Sequence, residues 1–310
     1  MNQKRTGLSL LLLLLLGFIW GSGYTLAKYA MTHDVPPLGY SFWQSAGPAF
    51  LLTLFCLISG KTAIFKRAYW PYYFTCGLLG IAIPNTNMYF IASHIPAGLL
   101  AVLVNTVPLL VYPLALLTNQ ERFDSFRVLA ILLGMVGIIL IIAPATHTLL
   151  SYWSMLTLIT PLAFALCSIY ISAYQPKALN ALESASGMLI AASLLLMPLI
   201  IQQHAFYPLT APFTTAKQVV LLEIVLSSIG YFLFFKLIRL AGPVFYSLTG
   251  GVVSLTGLLW GFIVFGEIPD RLEWLAIACV CSALFLLSWR QSRQFKDDYE
   301  SNRGSIQLPN

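Results

Sequence analysis

One carboxylate stands inside an otherwise apolar stretch of the chain. Glu223 lies in the middle of Val219–Val225, whose other members are Val, Leu and Ile. A charge of this kind in hydrocarbon costs about 2.5–3.5 kcal/mol on insertion scales unless water, a partner or a proton neutralises it. We therefore predict that Glu223 is a proton-coupling group or a contact for a substrate amine. The structural alternative is a neutral Glu223 that bonds Ser227 one turn on, or an ion pair with Lys28.

Other polar and aromatic residues also interrupt apolar runs. Asn85 follows Pro84 and Asn105 precedes Pro108, and a proline frees backbone carbonyls that a polar side chain or a cavity must satisfy. Trp20 opens a run of small residues at the middle depth of a leucine-rich stretch, where helices can approach closely. For each of these residues, packing between helices is the alternative to a role in binding. The predicted substrate-site residues are Trp20, Ser22, Asn85, Asn105, Tyr170, Glu223, Ser228, Tyr231, Ser254 and Trp260.

Several kinds of chemistry have no matching pattern. The sequence lacks a G-x-x-x-x-G-K-[ST] loop, which excludes ATP hydrolysis by a phosphate-cradling loop of that type. The four histidines have no metal-ligand spacing, and Gly21-Ser22-Gly23 lacks a partnered histidine. We therefore predict no catalytic residue, no metal and no cofactor. The five cysteines all lie in apolar runs and are expected to pack rather than to form disulfides.

The composition places these residues in a membrane. Only 9% of the residues are charged, 58% are hydrophobic, and mean hydropathy is +0.81. The apolar runs are about 20 residues long, as helices crossing a hydrocarbon layer of about 30 Å require. We predict an all-α integral membrane protein with ten transmembrane helices and no soluble domain. The predicted spans are 8–30, 37–59, 70–91, 97–118, 127–143, 151–174, 183–201, 216–237, 242–264 and 272–289.

The basic residues predict the orientation. With the N-terminus in the cytoplasm, most of the 17 lysines and arginines fall on the inner side, whereas Lys217 and Arg271 fall outside. Both termini are then cytoplasmic, and the net charge of +6 faces the membrane surface rather than a nucleic acid. The N-terminal leucine run could be a signal peptide, but it continues to Ala30 without a convincing cleavage site. We expect it to be the first span.

The spans divide into two similar sets of five. A pattern in the first set returns 146 residues later, with Glu121 matching Glu267 and Leu129–Ile131 matching Leu275–Ile277. We predict two five-helix repeats, residues 1–148 and 149–290, followed by a disordered cytoplasmic tail at 291–310. Because five is odd, the second repeat enters the membrane from the opposite side. Such inverted repeats are the usual basis of alternating access in transporters.

The chain resembles the drug/metabolite transporter superfamily, and specifically its ten-helix EamA type. The motifs that carry this resemblance are Trp20-Gly21-Ser22, Asn105-Thr106-Val107-Pro108, Glu121-Arg122 and Gly266-Glu267. The resemblance implies two five-helix bundles around a central cavity, moving small metabolites without ATP hydrolysis. The chain departs from the family pattern at Trp43-Gln44, where an Arg is frequent, and at Ser254, where a Pro is common. The charge preference of the substrate is therefore left open.

Three further charged residues have positions that suggest a role at the membrane surface. Lys28 lies near the outer end of the first span, where it can snorkel to the interface or reach the cavity or Glu223. Glu121 and Glu267 lie at helix ends on opposite faces. We expect them to cap helices or to form gate-like ion pairs.

The sequence as a whole predicts a multi-pass secondary transporter or facilitator of the inner membrane. Its partners are a small-molecule substrate and the lipid bilayer, and the energy comes either from the substrate gradient or from protons exchanged at Glu223. An amino acid or an analogue is the favoured substrate and export the favoured direction, because the candidate residues combine amide, hydroxyl and aromatic groups. A nutrient importer or multidrug exporter of the same fold is the alternative, and a membrane enzyme or receptor is a remote one. Oligomeric state cannot be read from the sequence.

Overall fold

A computed structural model describes residues 3–61, 63–117, 123–142, 148–247, 249–283, 285–286 and 289. Its secondary structure, over these residues, is helical throughout with no strand. The helices are α1 (Gln3–Met31), α2 (Pro37–Ile58), α3 (Trp70–Gly77), α4 (Ile83–Ile91), α5 (Ala97–Val104), α6 (Val107–Leu117), α7 (Ser125–Ile142), α8 (Thr148–Thr157), α9 (Ile159–Tyr174), α10 (Ala181–Gln202), α11 (Thr215–Ser247), α12 (Thr249–Phe265) and α13 (271–283). Two 3-10 turns, Ala63–Phe65 and Arg67–Tyr69, precede α3.

These helices are long and apolar enough for a multi-pass membrane protein. Among the described residues, six stretches meet both the length and the hydropathy of a membrane span, and 125–137 and 249–265 are shorter apolar helices. Helix is also present at each of the ten predicted spans. The number of crossings, the repeats and the side of each terminus remain predictions.

The main difference from the predicted boundaries concerns the eighth and ninth spans. We expected the eighth span to end at 237, yet α11, which is 33 residues long in all, continues past that position to Ser247. The intervening Ile238, Arg239, Leu240 and Ala241 contain neither glycine nor proline. These residue types extend a helix readily, so the local sequence offers no reason for it to stop at 237.

The third predicted span is one continuous helical stretch with a wide turn in its middle. A π-helical turn at Leu78–Ala82 joins α3 to α4. Pro84 explains this turn, because its ring lacks an N–H and crowds the carbonyl four residues earlier, and a π-bulge relieves both problems. The side chain of Thr160 donates a hydrogen bond of 3.1 Å to the Pro84 carbonyl. The proline therefore shapes the region just before Asn85.

The fourth predicted span is broken. Helix α5 ends at Val104 and α6 begins at Val107, and Asn105 at the break bonds back to the Ala101 carbonyl through both its backbone N–H and its side chain. These bonds satisfy a carbonyl that the end of α5 would otherwise leave without a partner. The break fixes Asn105 at the C-terminal end of α5.

Small residues bring the first and last parts of the chain into close contact. Helix α1 packs on α12, and a side-chain carbon added to Gly21 would lie 2.9 Å from Thr256 Cβ and 3.0 Å from the backbone nitrogen of Gly257. Thr256 also donates a 2.8 Å hydrogen bond to the Gly17 carbonyl. Close contacts of this kind let dispersion and interhelical hydrogen bonds hold membrane helices together.

Further contacts between the two predicted halves involve α2 and α10, and α5 also packs on α12 and α6 on α9. Helix α2 packs against α10 and α11, so each half contributes helices to one continuous bundle. At the start of α10, Asn180 accepts from the Glu183 N–H at 3.0 Å and Glu183 accepts from the Asn180 N–H at 3.1 Å. This capping box gives the buried Glu183 carboxyl a structural role. All five cysteines are free, as expected.

Candidate functional site

Glu223 is buried at an interface between the two predicted halves. It lies on α11 with 7% of its surface exposed, and Gly23 of α1 faces its carboxyl group. A carbon added to Gly23 would lie 3.8 Å from Glu223 Oε2. Ser227 donates a 2.7 Å hydrogen bond to Oε1, which is the contact that the structural alternative for Glu223 predicts. The described residues supply no hydrogen bond to Oε2 and no ion pair to this carboxyl group.

A chain of hydrogen bonds links Glu223 to the first half. Asn85 donates to Gln44 Oε1 at 2.8 Å, and Gln44 donates to Ser227 Oγ at 3.2 Å. Ser227 then donates to Glu223, so all three donors point toward the carboxylate. Bonds aligned in this way polarise one another and stabilise a negative charge at the end of the chain. The Gln44–Ser227 bond joins α2 to α11 and therefore crosses between the halves.

Tyrosines surround this polar chain. The rings of Tyr40 and Tyr89 meet edge to face at 4.7 Å, and both lie within electrostatic range of Glu223. Tyr231 neighbours the side chains of Gln44 and Asn85. Tyr24 accepts a 3.1 Å hydrogen bond from Asn105, which brings the broken fourth span to the same region. The Tyr40 hydroxyl is buried without a hydrogen-bond partner among the described residues.

The site residues lie at one level of the bundle. Tyr24, Gln44, Asn85 and Glu223 are each six to eight residues from a helix end that the charge bias assigns to the outside. At 1.5 Å per residue this is a depth of about 9–12 Å. Polar and aromatic groups from four different helices thus converge well inside the membrane. We call this set (Trp20, Tyr24, Tyr40, Gln44, Asn85, Tyr89, Glu223, Ser227 and Tyr231) the carboxylate cluster.

Several predicted residues belong to or adjoin the carboxylate cluster. Asn85, Glu223 and Tyr231 are members, and Asn105 reaches it through Tyr24. Trp20 lies at its edge, with its ring 6.4 Å from that of Tyr231.

Other predicted residues lie elsewhere or bond within their own helices. Ser22, Ser228 and Ser254 donate to carbonyls three or four residues earlier on the same helix. Tyr170 stacks on Tyr72 at 6.1 Å, toward the opposite end of the bundle. Trp260 packs on Phe18 at 5.1 Å. The ring contacts of these two aromatic residues are with Phe18, Tyr72 and Tyr174, which lie outside the carboxylate cluster.

A second charged group joins the halves at the end assigned to the outside. Lys28 does not pair with Glu223 but forms an ion pair with Glu267, and both side chains are 17% exposed. Glu267 also accepts a 2.8 Å hydrogen bond from the Ala97 N–H at the start of α5, and Lys28 donates to the Ile95 carbonyl at 3.3 Å. Gly266, with φ +65°, ends α12 in a conformation that favours glycine, and the chain turns there before Glu267. Glu267 therefore both caps a helix and pairs with a lysine, whereas Glu121 and Arg122 lie outside the described residues.

Removing one partner of this pair is expected to destabilise the fold. Lys28→Met leaves a partly buried carboxylate unpaired, which should cost about 1–3 kcal/mol, less than a fully buried pair would lose. Thermal unfolding in detergent should show a clearly lower Tm for Lys28→Met. Lys28→Glu combined with Glu267→Lys should recover part of that loss, because the charges attract again although the Ala97 cap is lost. A Tm for Lys28→Met equal to that of the parent chain would contradict a stabilising pair.

The comparisons with known proteins agree with this architecture. Residues 7–143 match the family model of the EamA-like transporter family. This region belongs to the EamA-like transporter family. The cluster residues on α1, α2 and α4 lie inside the matched EamA-like region, whereas Glu223, Ser227 and Tyr231 lie outside it.

Related sequences extend beyond the EamA-like region. Protein PecM of Dickeya dadantii (strain 3937) is 23% identical over 270 residues, covering 87% of this chain and 88% of PecM. The Uncharacterized inner membrane transporter YedA of Escherichia coli (strain K12) is 25% identical over 279 residues and 87% of each chain. A crystal structure matches with a TM-score of 0.61 and 17% identity, covering 93% of this chain and 99% of the other. That match shows a shared fold. The family favours a transporter over an enzyme.

Proposed function

We propose that this protein is a secondary transporter of the inner membrane that exports a small metabolite carrying an amino group, such as an amino acid or an analogue. The observation that carries the proposal is the buried Glu223 carboxyl group between the predicted halves, within a chain whose first part belongs to a transporter family. Carboxylates at membrane depth are costly and are typical of ion and substrate pathways. The similarity to a protein named as an inner membrane transporter supports the location.

The hydrogen-bond chain offers a way to couple a proton to a conformational change. When Glu223 is ionised, it accepts from Ser227, and the Ser227 oxygen is free to accept from Gln44. A protonated Glu223 can instead donate to Ser227, which turns the hydroxyl and weakens its bond with Gln44. Protonation would therefore change the contact between α2 and α11. This is the differential interaction that a population shift between two states requires.

The ion pair at the outer end is consistent with a conformation of the transport cycle that is closed toward the outside. The pair of Lys28 with Glu267 and the Glu267 cap on Ala97 hold α1, α5 and the segment after α12 together. Glu223, Gln44 and Asn85 are each less than a tenth exposed, which is consistent with an occluded site. We propose that opening to the outside breaks the Lys28–Glu267 pair while the two five-helix repeats rock around Glu223.

A transport assay tests this function. Purified protein is reconstituted into proteoliposomes, and uptake of labelled amino acids and their amines is measured with and without a pH difference. We expect saturable counterflow without ATP and faster net movement when protons flow in the opposite direction. Comparing inside-out with right-side-out vesicles decides between export and import. Protein-free liposomes give the background, and an absence of counterflow for every amino compound would contradict the proposal.

A further inference from the structure

The charge of the carboxylate cluster has a bearing on the substrate. Among the described residues, no lysine, arginine, histidine or aspartate contacts the Glu223 carboxyl group. The groups near it are Gly23 of α1, Tyr40 of α2 and Tyr89 of α4, together with Ser227 and Tyr231 on α11 itself. Lys28, the basic residue of α1 beyond its first turn, is held by Glu267 at the outer end of the bundle. The site therefore carries one acidic group with no described basic group beside it.

Aromatic side chains supply the rest of the surroundings. Tyr40, Tyr89 and Tyr231, on three helices, lie within electrostatic range of the carboxylate, Tyr24 of α1 lies in range of Tyr89, and Trp20 lies beside Tyr231. Ring faces attract cations, and the attraction grows when the cation leaves water. Among the described residues, the Tyr40 hydroxyl, with 1% of the residue exposed, has no hydrogen-bond partner, and Glu223 Oε2 receives no hydrogen bond. The carboxylate thus keeps one oxygen that can accept from a ligand, and the Tyr40 hydroxyl, within electrostatic range of it, offers a second acceptor.

A carboxylate on the substrate would find no compensating charge here. Burying an unpaired anion costs several kcal/mol, and a second carboxylate near Glu223 adds repulsion. An ammonium group instead gains an ion pair with Glu223 and contacts with ring faces. An amine should therefore bind much more tightly than the amino acid that has the same apolar body and an added carboxylate.

We propose that the carboxylate cluster selects primary amines with an aromatic or apolar body and no carboxylate, in preference to the parent amino acids. This rests on the proposed function and narrows its substrate class. The ammonium nitrogen would donate to Glu223 Oε2 while the body lies among the tyrosines. Binding to a protonated Glu223 releases its proton: Glu–COOH plus R–NH₃⁺ gives Glu–COO⁻ paired with R–NH₃⁺ plus H⁺. Each amine thus replaces one proton, which is the stoichiometry of one-for-one exchange.

Matched ligand pairs test the proposal on the purified full chain in detergent. Phenethylamine is compared with phenylalanine, and tyramine with tyrosine, by titration calorimetry in two buffers of different protonation enthalpy. We expect each amine to bind at least about tenfold more tightly than its amino acid. A tenfold difference corresponds to about 1.4 kcal/mol, which is less than the cost of burying the carboxylate of the amino acid. Below the pH at which Glu223 ionises, amine binding should release a proton. Lowering the pH should therefore lower the affinity of the protein for the amine.

Two variants separate this site from general effects. Glu223→Gln should reduce amine affinity at least about tenfold and abolish proton release. Glu183→Gln, a change of another buried carboxyl group that caps α10, should leave the amine affinity unchanged. Equal affinity for amine and amino acid, no amine binding, or an unchanged affinity in Glu223→Gln would each overturn the proposal. Counterflow of amino acids in proteoliposomes would then leave the transporter function standing, so the two failures are distinguishable.

Discussion

Replacement of Glu223 by Gln is expected to abolish proton-driven transport. The amide cannot bind or release a proton, and it imitates the neutral carboxyl group, so a pH difference should no longer drive net movement. Net uptake driven by a pH gradient should fall at least about tenfold, toward the protein-free background. The rate of counterflow at equal pH on both sides should fall less than the net uptake does, because exchange of substrate for substrate needs no proton. Uptake by proteoliposomes with a pH gradient is the measurement.

Two controls make this result specific. Ser228→Ala changes a side chain on the same helix that, among the described residues, donates to the Ile224 carbonyl, so proton dependence should persist. Glu183→Gln removes a buried carboxyl group that has a capping role and should preserve proton dependence as well. Proton dependence in Glu223→Gln equal to that of the parent chain would remove Glu223 from the coupling mechanism.

Replacement of Gly21 by Val is expected to have the largest effect on stability. The added side chain would overlap Thr256 and press against the backbone nitrogen of Gly257, 3.0 Å from the first added carbon. Backbone cannot rotate away as a side-chain end can, so α1 and α12 must separate. Overpacking of this kind costs about 1–3 kcal/mol or more. We expect a large drop in the yield of monodisperse protein and a much lower Tm.

Gly251 provides the matched control for this substitution. It lies on α12, the helix that Gly21 contacts, and a carbon added there meets nothing within 4 Å. Gly251→Val makes the same chemical change in a helix, so differences in helix propensity cancel. Its Tm should stay close to that of the parent chain. Equal Tm values for the Gly21 and Gly251 variants would show that the α1–α12 contact does not limit stability.

The sequence identified individual polar residues of the carboxylate cluster, whose role in binding stays a prediction, better than it identified their partners. Glu223 was identified because the free-energy cost of placing its charge in the membrane can be judged from its apolar neighbours in the chain. Its bond to Ser227 follows from helical spacing, and the structure contains that bond. Gln44 was noticed only as a departure from a family pattern, yet it connects Asn85 with Ser227. Its role depends on the rotation of α2 about its own axis, which a single uniformly apolar helix does not specify.

A usable signal was nevertheless present. Residues of the carboxylate cluster recur at a spacing of four in four helices: Trp20 and Tyr24, Tyr40 and Gln44, Asn85 and Tyr89, and Glu223, Ser227 and Tyr231. Residues four apart share one helix face, so each set marks the side that turns inward. Searching for such stripes, rather than for single polar residues, would have added Tyr24, Tyr40 and Tyr89.

Contacts distant in the chain were beyond the reach of local patterns. Lys28 was expected at the interface or near Glu223, but its partner Glu267 lies 239 residues away. Tyr170 and Trp260 are the same residue types as the aromatic residues of the carboxylate cluster, but their rings contact Tyr72 and Phe18 instead. Only the packing of helices distinguishes these cases, because aromatic residues serve packing and binding equally well.

Inverted insertion of the two predicted repeats is the claim on which the mechanism depends, and cysteine labelling in intact cells tests it most directly. Ser59 directly follows α2 and Gln203 directly follows α10, the second helices of the two predicted repeats, and both residues are exposed. The five native cysteines are replaced, and a single cysteine is placed at either position. An impermeant maleimide should label position 203 from outside and position 59 only after permeabilisation. Labelling of both positions from the same side would contradict two oppositely inserted repeats around Glu223.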